Sequence, residues 1–173
     1  MNHLKEIEHK IVDLSSLIHV IKKERAAGKK IVFTNGCFDI LHRGHLTYLA
    51  QTADLGNLVI VGLNTDASVK RQGKDINRPI NDEQSRAFIL AGLSVVDYIV
   101  LFDEDTPFNL IQEILPDVLV KGGDYDAEEA DKNSKKYIVG ADIVLNNGGT
   151  ICTIPLVQGF STTNIVKTIQ KGK

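Results

Sequence analysis

The chain contains 173 residues, of which 43% are hydrophobic and 24% are charged, and its formal net charge is −2. A chain of this size buries enough apolar surface to fold as one domain without disulfides or structural metals. The balanced charge argues against a general nucleic-acid or membrane binder, and no apolar run approaches the roughly 18 residues of a membrane span.

The two cysteines, Cys37 and Cys152, lie far apart and form no C-x-x-C pair. Separate thiols of this kind are typical of reduced cysteines, so we expect a cytoplasmic protein without a zinc or redox centre. The charged N-terminus lacks the apolar segment of a signal peptide.

The first 27 residues read as an N-terminal helical extension, ahead of a main domain at 28–173. Residues 3–27 are predicted to form one helix that ends at Gly28. Its apolar residues recur at spacings of three and four, namely Ile11, Leu14, Leu17, Ile18 and Ile21.

The rest of the chain alternates between apolar strands and amphipathic helices. Strands are predicted at 31–34, 58–63, 98–102, 118–120, 143–144 and 150–154. Helices are predicted at 41–53, 81–92, 107–115, 133–139 and 162–170. This alternation predicts an α/β fold, a doubly wound parallel sheet of the Rossmann-like type. Because ligands bind beyond the carboxyl ends of such strands, the loops 35–42, 64–80, 121–132 and 155–162 are candidate sites.

The first of these loops leads into a helix that opens with His42-Arg43-Gly44-His45. Histidines three residues apart on a helix lie on one face and can contact the same ligand. The free amides of a helix N-terminus attract phosphate, and Gly44 allows a nucleotide to approach the backbone. Together with Asn35, Gly36, Cys37 and Phe38, these residues predict a site for nucleoside triphosphate phosphates.

Zinc is the competing use of paired histidines. It favours H-E-x-x-H, with histidines four residues apart, a glutamate and a third ligand. The glutamate is absent here, so we predict no metal held by the protein itself.

The loop after the second strand offers Asn64 and Asp66 as ligands, but Asn64 or Thr65 equally suits the cap of a short helix. The basic segment 70–78 then suggests that Lys70 or Arg71 closes over a triphosphate; a solvated loop is the alternative. Arg86 falls one turn into the next helix, for which Asn81 or Asp82 is the candidate N-cap. It suits either a forked contact with phosphate or a surface pair with Asp82.

Two further loops carry polar groups. Lys121, Gly122, Gly123 and Asp124 end a strand and suit a substrate that carries both phosphate and hydroxyls. Near the C-terminus, three hydroxyls precede a helix and either cap it or form a second phosphate cradle. These residues are Ser161, Thr162 and Thr163, which follow Phe160.

These motifs resemble those of the nucleotidyltransferases of the cytidylyltransferase-like superfamily. Their H-x-G-H motif corresponds to residues 42–45 and their I-S-T-T signature to residues 160–163. The stretches 33–42, 61–64, 121–125, 155–157 and 159–161 are similar to the heptose 1-phosphate adenylyltransferases within it, although that branch usually has glutamate where Gln158 stands. The stretch before the signature lacks the arginine of glycerol-3-phosphate cytidylyltransferases.

The resemblance implies transfer of AMP from ATP to D-glycero-β-D-manno-heptose 1-phosphate, with a Mg²⁺ that bridges the triphosphate. It implies catalytic roles for His42, His45 and Lys121. It implies nucleotide contacts from Asn35, Gly36, Cys37, Phe38, Gly44, Asn64, Asp66, Lys70, Arg71, Arg86, Phe160, Ser161, Thr162 and Thr163. Contacts with the sugar phosphate are assigned to Asp39, Gly122, Gly123 and Asp124. A homodimer is common in the family.

Three alternatives stay open from the sequence. One is a cytidylyltransferase for a small phosphorylated acceptor such as glycerol 3-phosphate. Another is a nucleotide-binding module that does not catalyse a reaction, and the third is a flavodoxin-like redox domain. Pyrophosphate release distinguishes the first two, and a flavin chromophore would reveal the third.

Overall fold

The computed structural model describes residues 2–73 and 78–172, and its central feature is a parallel β-sheet. The strands are β1 Ile31–Gly36, β2 Leu58–Asn64, β3 Tyr98–Phe102, β4 Val118–Gly122 and β5 Thr150–Ile154. All neighbouring strands are parallel, in the order β3-β2-β1-β4-β5. The continuous apolar runs suit this arrangement because a parallel sheet is covered on both faces. The predicted fold class is confirmed.

Eight helices lie in the described ranges. They are α1 His3–Glu8, α2 Leu14–Ala26, α3 Arg43–Ala53, α4 Asp66–Arg71, α5 Glu83–Ala91, α6 Phe108–Ile114, α7 Ala141–Asn146 and α8 Thr162–Lys171. Side chains that accept a hydrogen bond from the first turn fix most of their starts, as Asp13 does for α2 and Asp82 for α5. None of these helices has the length and apolarity required to cross a bilayer.

The two faces of the sheet carry separate apolar cores. On one face, helices α2, α6 and α7 pack over Ile31 and Phe33 of β1. On the other, α5 and Leu49 of α3 pack over Val59 and Val61 of β2. Alternate residues of each strand therefore face opposite cores, as expected for a doubly wound sheet.

The N-terminal segment differs from the single helix predicted at 3–27. The chain leaves α1 and pairs briefly with the edge strand β3, where the amide of Val12 donates to the carbonyl of Ile99 at 3.0 Å. The amide of Ile99 in turn donates to the carbonyl of Lys10 at 2.8 Å. The open edge of β3 thus competes successfully with helix continuation. Leu17 and Ile21 of α2 then enter the same core as β1. The division at residue 27 stays a prediction.

The region before β5 was also predicted incorrectly. Residues 133–139 form turns instead of a helix, and residues 143–144 belong to α7 instead of a strand. β-branched residues such as Ile143 favour strands locally, but burial of Ala141 and Val144 against the core favours a helix here. Gly140, with φ +84°, makes the left-handed turn that starts this helix.

The strand order reverses at β1, which fixes where a ligand can enter. The chain runs outward from β1 through β2 to β3, and then crosses to β4 and β5 on the other side. At such a reversal the loops after the two central strands diverge and leave a crevice. Strands β1 and β4 end at this point with Asn35-Gly36 and Lys121-Gly122.

Candidate active site

A cavity of about 540 Å³ opens at the carboxyl ends of β1 and β4. It brings together most residues that the sequence assigned to a site: Asn35, Gly36, Cys37, Phe38, His42, Gly44, His45, Asn64, Lys121, Gly122, Asp124, Phe160, Ser161, Thr162 and Thr163. Six predicted site residues do not line it: Asp39, Asp66, Lys70, Arg71, Arg86 and Gly123. The motif loops therefore converge, although several of their charged side chains do not.

The two histidines stand at the start of α3. His42 is the N-cap residue, and its Nδ1 accepts a hydrogen bond of 3.3 Å from the amide of His45. The imidazole rings stack with centroids 3.9 Å apart and planes 13° apart. Phe38 packs against His45 at a centroid distance of 5.3 Å. Because Nδ1 of His42 is an acceptor, its proton lies on Nε2, from which it can donate to a ligand.

Burial keeps both histidines neutral near pH 7. It lowers the pKa of His45 to about 4, and the charges of His42 and Arg78 act in the same direction. Burial also lowers the pKa of His42. Nδ1 of His45 is buried and has no hydrogen-bond partner within residues 2–73 and 78–172. An unpaired buried nitrogen is costly, and a ligand oxygen or water would satisfy it.

The low pKa of His45 predicts how stability depends on pH. Between pH 4 and 6.5 the unfolded chain binds a proton that the folded chain does not, so stability falls as pH decreases through this window. The contribution of His45 to the unfolding free energy reaches its full value above pH 6.5. Within the window, that free energy changes by at most about 1.4 kcal/mol per pH unit. We expect His45→Gln to flatten the curve of unfolding free energy against pH, measured by urea denaturation. An exposed control, His19→Gln, should leave the slope unchanged, and equal slopes for the wild type and His45→Gln would contradict the assignment.

Close packing at Gly44 joins the two helix starts that face the cavity. A Cβ atom on Gly44 would lie 3.0 Å from Cε1 of His42 and 3.2 Å from Cβ of Phe160. The guanidinium of Arg43 lies 5.5 Å from the centre of the Phe160 ring. Glycine at position 44 therefore allows the approach to α8 to lie against the start of α3.

The hydroxyl residues at the start of α8 contribute both to helix capping and to the lining of the cavity. Oγ of Ser161 accepts a hydrogen bond of 3.1 Å from the amide of Asn164, which bears out the capping interpretation. Oγ1 of Thr162 lies 3.4 Å from the carbonyl oxygen of Ile40, to which it donates. All three hydroxyl residues line the cavity as well, so the N-termini of α3 and α8 open on the same space.

Lys121 connects the two central strands at the floor of the cavity. Its Nζ donates a hydrogen bond of 2.7 Å to Oδ1 of Asn35, and it lies 5.0 Å from the centre of the Tyr125 ring. Lys121 is 8% exposed, so its charge acts in a partly desolvated environment. Asp124 lines the same side of the cavity.

Arg86 lies behind the cavity wall. It is 1% exposed and forms an ion pair of 2.7 Å with Asp66. The nitrogen that bonds Asp66, Nη2, also donates to the backbone carbonyl of Asn64, while Nη1 and Nε donate to the carbonyls of Cys37 and Asn81. The alternative partner Asp82 caps α5 instead. Arg86 and Asp66 therefore join the loops around the cavity and do not line it.

Asp39 is also directed away from the cavity. Its carboxylate is buried and accepts hydrogen bonds from Nε of Arg78 at 3.1 Å and from the amides of Ile80 and Asn81 at 2.8 and 3.0 Å. The backbone carbonyl of Asp39 accepts from the side chain of Asn81 at 2.7 Å. Asp39 thus holds segment 78–81 against the loop after β1.

The basic residues of α4, Lys70 and Arg71, do not line the cavity. Nε of Arg71 forms an ion pair of 2.7 Å with Asp105, and the same guanidinium donates to the backbone carbonyl of Asp103. Of the two interpretations of the loop before α4, the capping one is seen in Thr65, whose hydroxyl accepts from the amide of Ser68. Residues 74–77 of the predicted basic segment lie outside the described residues.

Six residues that line the cavity were not selected from the sequence: Tyr48, Gln72, Arg78, Tyr125, Leu156 and Val157. The spacing of Tyr48, three residues after His45 on α3, was a usable signal because such residues share a face. Arg78 lay in the basic segment, but nothing in the sequence distinguished it from Arg71.

The described residues contain no group of three or more His, Cys, Asp or Glu side chains that could hold a metal ion. Asp124 is the carboxylate among the described lining residues. This set fits a Mg²⁺ that is held mainly by phosphate oxygens and water, which is usual for this ion.

Comparisons with known proteins agree with this geometry. A family model described as cytidylyltransferase-like matches residues 33–168. Relatives named bifunctional protein HldE include one from Syntrophotalea carbinolica, 50% identical over 168 residues, with 97% of this chain and 32% of the relative covered. One from Pseudomonas aeruginosa is 51% identical over 166 residues, with 95% and 33% covered. The chain therefore spans about a third of the length of these relatives.

Two solved structures share the fold. A lipopolysaccharide core biosynthesis protein from Thermoplasma volcanium superposes with a TM-score of 0.57 and 29% identity, with 75% of this chain and 98% of that one covered. A pantoate–β-alanine ligase from Francisella tularensis gives a TM-score of 0.56 with 16% identity, with 92% and 76% covered. The second likeness concerns the fold alone.

Proposed function

Because the chain belongs to the cytidylyltransferase-like family, we propose that it transfers AMP from ATP to D-glycero-β-D-manno-heptose 1-phosphate, giving ADP-heptose and pyrophosphate. One observation carries the proposal of nucleotidyl transfer: two stacked imidazoles and the N-termini of α3 and α8 line one cavity with Lys121. The choice of a heptose acceptor is supported by the motif resemblance. It is also supported by relatives about 50% identical and by the solved lipopolysaccharide core biosynthesis protein.

The reaction needs no nucleophile from the protein. An oxygen of the sugar 1-phosphate attacks the α-phosphorus of ATP and forms a new P–O bond. The bond from that phosphorus to the bridging oxygen of the β-phosphate breaks, and pyrophosphate leaves with the electron pair. The protein therefore contributes by positioning the two substrates and by stabilising negative charge on the phosphate oxygens.

His42 and His45 stabilise that charge in the proposed reaction. Neutral imidazole donates one hydrogen bond, and the acceptor role of Nδ1 leaves Nε2 of His42 as its donor. The stacked rings hold both side chains in fixed positions, so little reorganisation is needed when charge develops. The free amides at the start of α3 add to this field.

The remaining groups divide between the two substrates. Ser161, Thr162 and Thr163 at the start of α8 bind the β- and γ-phosphates, which leave as pyrophosphate. Lys121 and Asp124, with Gly122, bind the sugar phosphate. Arg86, Asp66 and Asp39 act on the site through the loops they hold, because their polar groups are bonded to the protein.

Mg²⁺ belongs to the proposal as a companion of ATP, and it supplies neutralisation of the triphosphate charge when bound. Phosphate oxygens and water would hold most of this ion, and Asp124 would contribute a contact through water. The proposal also extends to a cytoplasmic homodimer, and analytical ultracentrifugation would test the association.

A pyrophosphate-release assay tests the function. The purified chain is incubated with Mg²⁺, each of ATP and CTP, and either heptose 1-phosphate or glycerol 3-phosphate. Release with ATP and the heptose alone supports the proposal, whereas release with CTP and glycerol 3-phosphate supports the cytidylyltransferase. Binding of ATP without any release would leave a nucleotide-binding module.

Lys121 offers a separate prediction about the sugar phosphate. Lys121→Met keeps most of the aliphatic length but removes the ammonium group that Asn35 positions. We expect KM for the sugar phosphate to rise on the order of 10-fold or more, the size of one lost charge-assisted contact, while KM for ATP changes less. Initial-rate kinetics with each substrate varied in turn would measure this, and an effect confined to ATP would reassign the lysine.

A further inference from the structure

We propose that Arg78 is a ligand of the nucleotide triphosphate and that the buried carboxylate of Asp39 holds it in position. The proposal rests on the proposed function, and it assigns roles that the sequence motifs do not: it adds Arg78 to the site and makes Asp39 a positioning residue. Residues 39 and 78 lie in different loops, so only the folded chain brings them together.

Arg78 lines the cavity and uses only part of its hydrogen-bonding capacity within the protein. Its Nε donates to Oδ2 of Asp39 at 3.1 Å, and its side chain is 19% exposed. In the parts of the chain that the structure describes, its two terminal nitrogens make no hydrogen bond. An arginine bound through Nε retains a fork of N–H donors that matches the geometry of phosphate oxygens.

Asp39 makes a rigid support for this side chain. Its side chain is fully buried, and two backbone amides and Arg78 share its oxygens. These three hydrogen bonds offset the cost of burying a carboxylate. Because the amides belong to Ile80 and Asn81, the carboxylate fixes both the guanidinium and the backbone that follows it.

The distribution of positively charged side chains around the cavity indicates that Arg78 is needed to bind phosphate there. Arg71 is bonded to Asp105, and Arg86 is buried behind the wall. The cations among the described lining residues are Arg78 and Lys121. Lys121 is bonded to Asn35 beside Asp124, whereas the charge of Arg78 acts on His45 and contributes to its lowered pKa. We therefore assign Arg78 to the triphosphate on the histidine side of the cavity.

Binding measurements that do not depend on turnover test this assignment. Isothermal titration calorimetry would compare Mg²⁺-pyrophosphate and Mg²⁺-ATP binding to the wild type, Arg78→Met, Arg78→Lys and Asp39→Asn. Arg25→Met is the matched control, because it removes the same charge where the guanidinium binds the carbonyls of Ile114 and Leu115. Circular dichroism establishes that each variant is folded.

We expect Arg78→Met to weaken pyrophosphate binding on the order of 10- to 100-fold, as for a lost bidentate charged contact, and Arg78→Lys to recover part of it. Asp39→Asn should weaken binding less, and should add little in the Arg78→Met background, because it acts through Arg78. In kinetics, KM for ATP should rise more than KM for the sugar phosphate. The Arg25→Met control should bind as the wild type does.

Wild-type affinity in a folded Arg78→Met variant, or a loss confined to the sugar phosphate, would overturn the proposal. If Arg78→Met fails to fold, Arg78→Lys decides, because it keeps the charge and removes the fork; unchanged affinity would refute a forked contact. A wild type that binds pyrophosphate through Arg78 but releases none with any sugar phosphate would refute the proposed function and leave this inference intact.

Discussion

Replacing His45 with alanine is expected to lower kcat by about 10²–10³-fold, the loss typical of removing one preorganised donor from a transition state. The substitution removes an imidazole that stacks on His42 and packs against Phe38. Because its pKa is lowered to about 4, the wild-type side chain acts as a neutral donor, and kcat should not depend on its titration near pH 7. Steady-state pyrophosphate release measures the change.

Two control variants distinguish the loss of this donor from a general effect of replacing a histidine. His45→Gln keeps a donor of similar reach and should retain more activity than His45→Ala. His19→Ala removes an exposed histidine of α2 that bonds the carbonyl of Ser15, and kcat should not change. A folded His45→Ala enzyme with wild-type kcat would remove the histidine from the mechanism.

Replacing Arg86 with methionine is expected to destabilise the fold by about 3–5 kcal/mol, the combined cost of breaking a partly buried ion pair and of leaving carbonyl groups without a donor. Asp66 would lose its partner, and the carbonyls of Cys37, Asn64 and Asn81 would lose a donor. Urea denaturation measures the unfolding free energy. Arg86→Lys should be intermediate, because an ammonium group cannot reach four acceptors at once.

The matched control for Arg86 is Arg71→Met, which breaks an ion pair whose arginine side chain is 44% exposed. Exposed pairs contribute roughly 0–1 kcal/mol, so this variant should keep nearly the full stability. Equal losses from the two substitutions would show that the bonds made by Arg86 do not hold the cavity loops together.

The sequence was sufficient for the sheet and for the loops that form the site. Apolar runs at β1, β2, β3, β4 and β5 are local signals, and the rule about carboxyl ends then selects the right loops. The segment 133–146 failed because tertiary burial of α7 overrode the strand propensity of Ile143 and Val144.

The sequence was less informative about the directions in which charged side chains point. Asp39, Arg71 and Arg86 all stand in or beside the expected loops, yet each is bonded to protein groups distant in the chain. A motif shows that a polar residue lies near the carboxyl edge, but its partner depends on the packing of separate segments. The partner of Asp39 is 39 residues away, and that of Arg86 is 20 residues away.

The pairing of residues 10–12 with β3 has a consequence for the behaviour of the chain in concentrated solution. An uncovered outer strand offers its amides and carbonyls to any neighbouring molecule, which is a common route to aggregation. Here Lys10 and Val12 occupy that position through the backbone of Ile99. The lysine ammonium also bonds the carbonyls of Leu93 and Val96. The first dozen residues thus cover part of this edge, and we expect protein from which they are removed to expose it and to self-associate more readily.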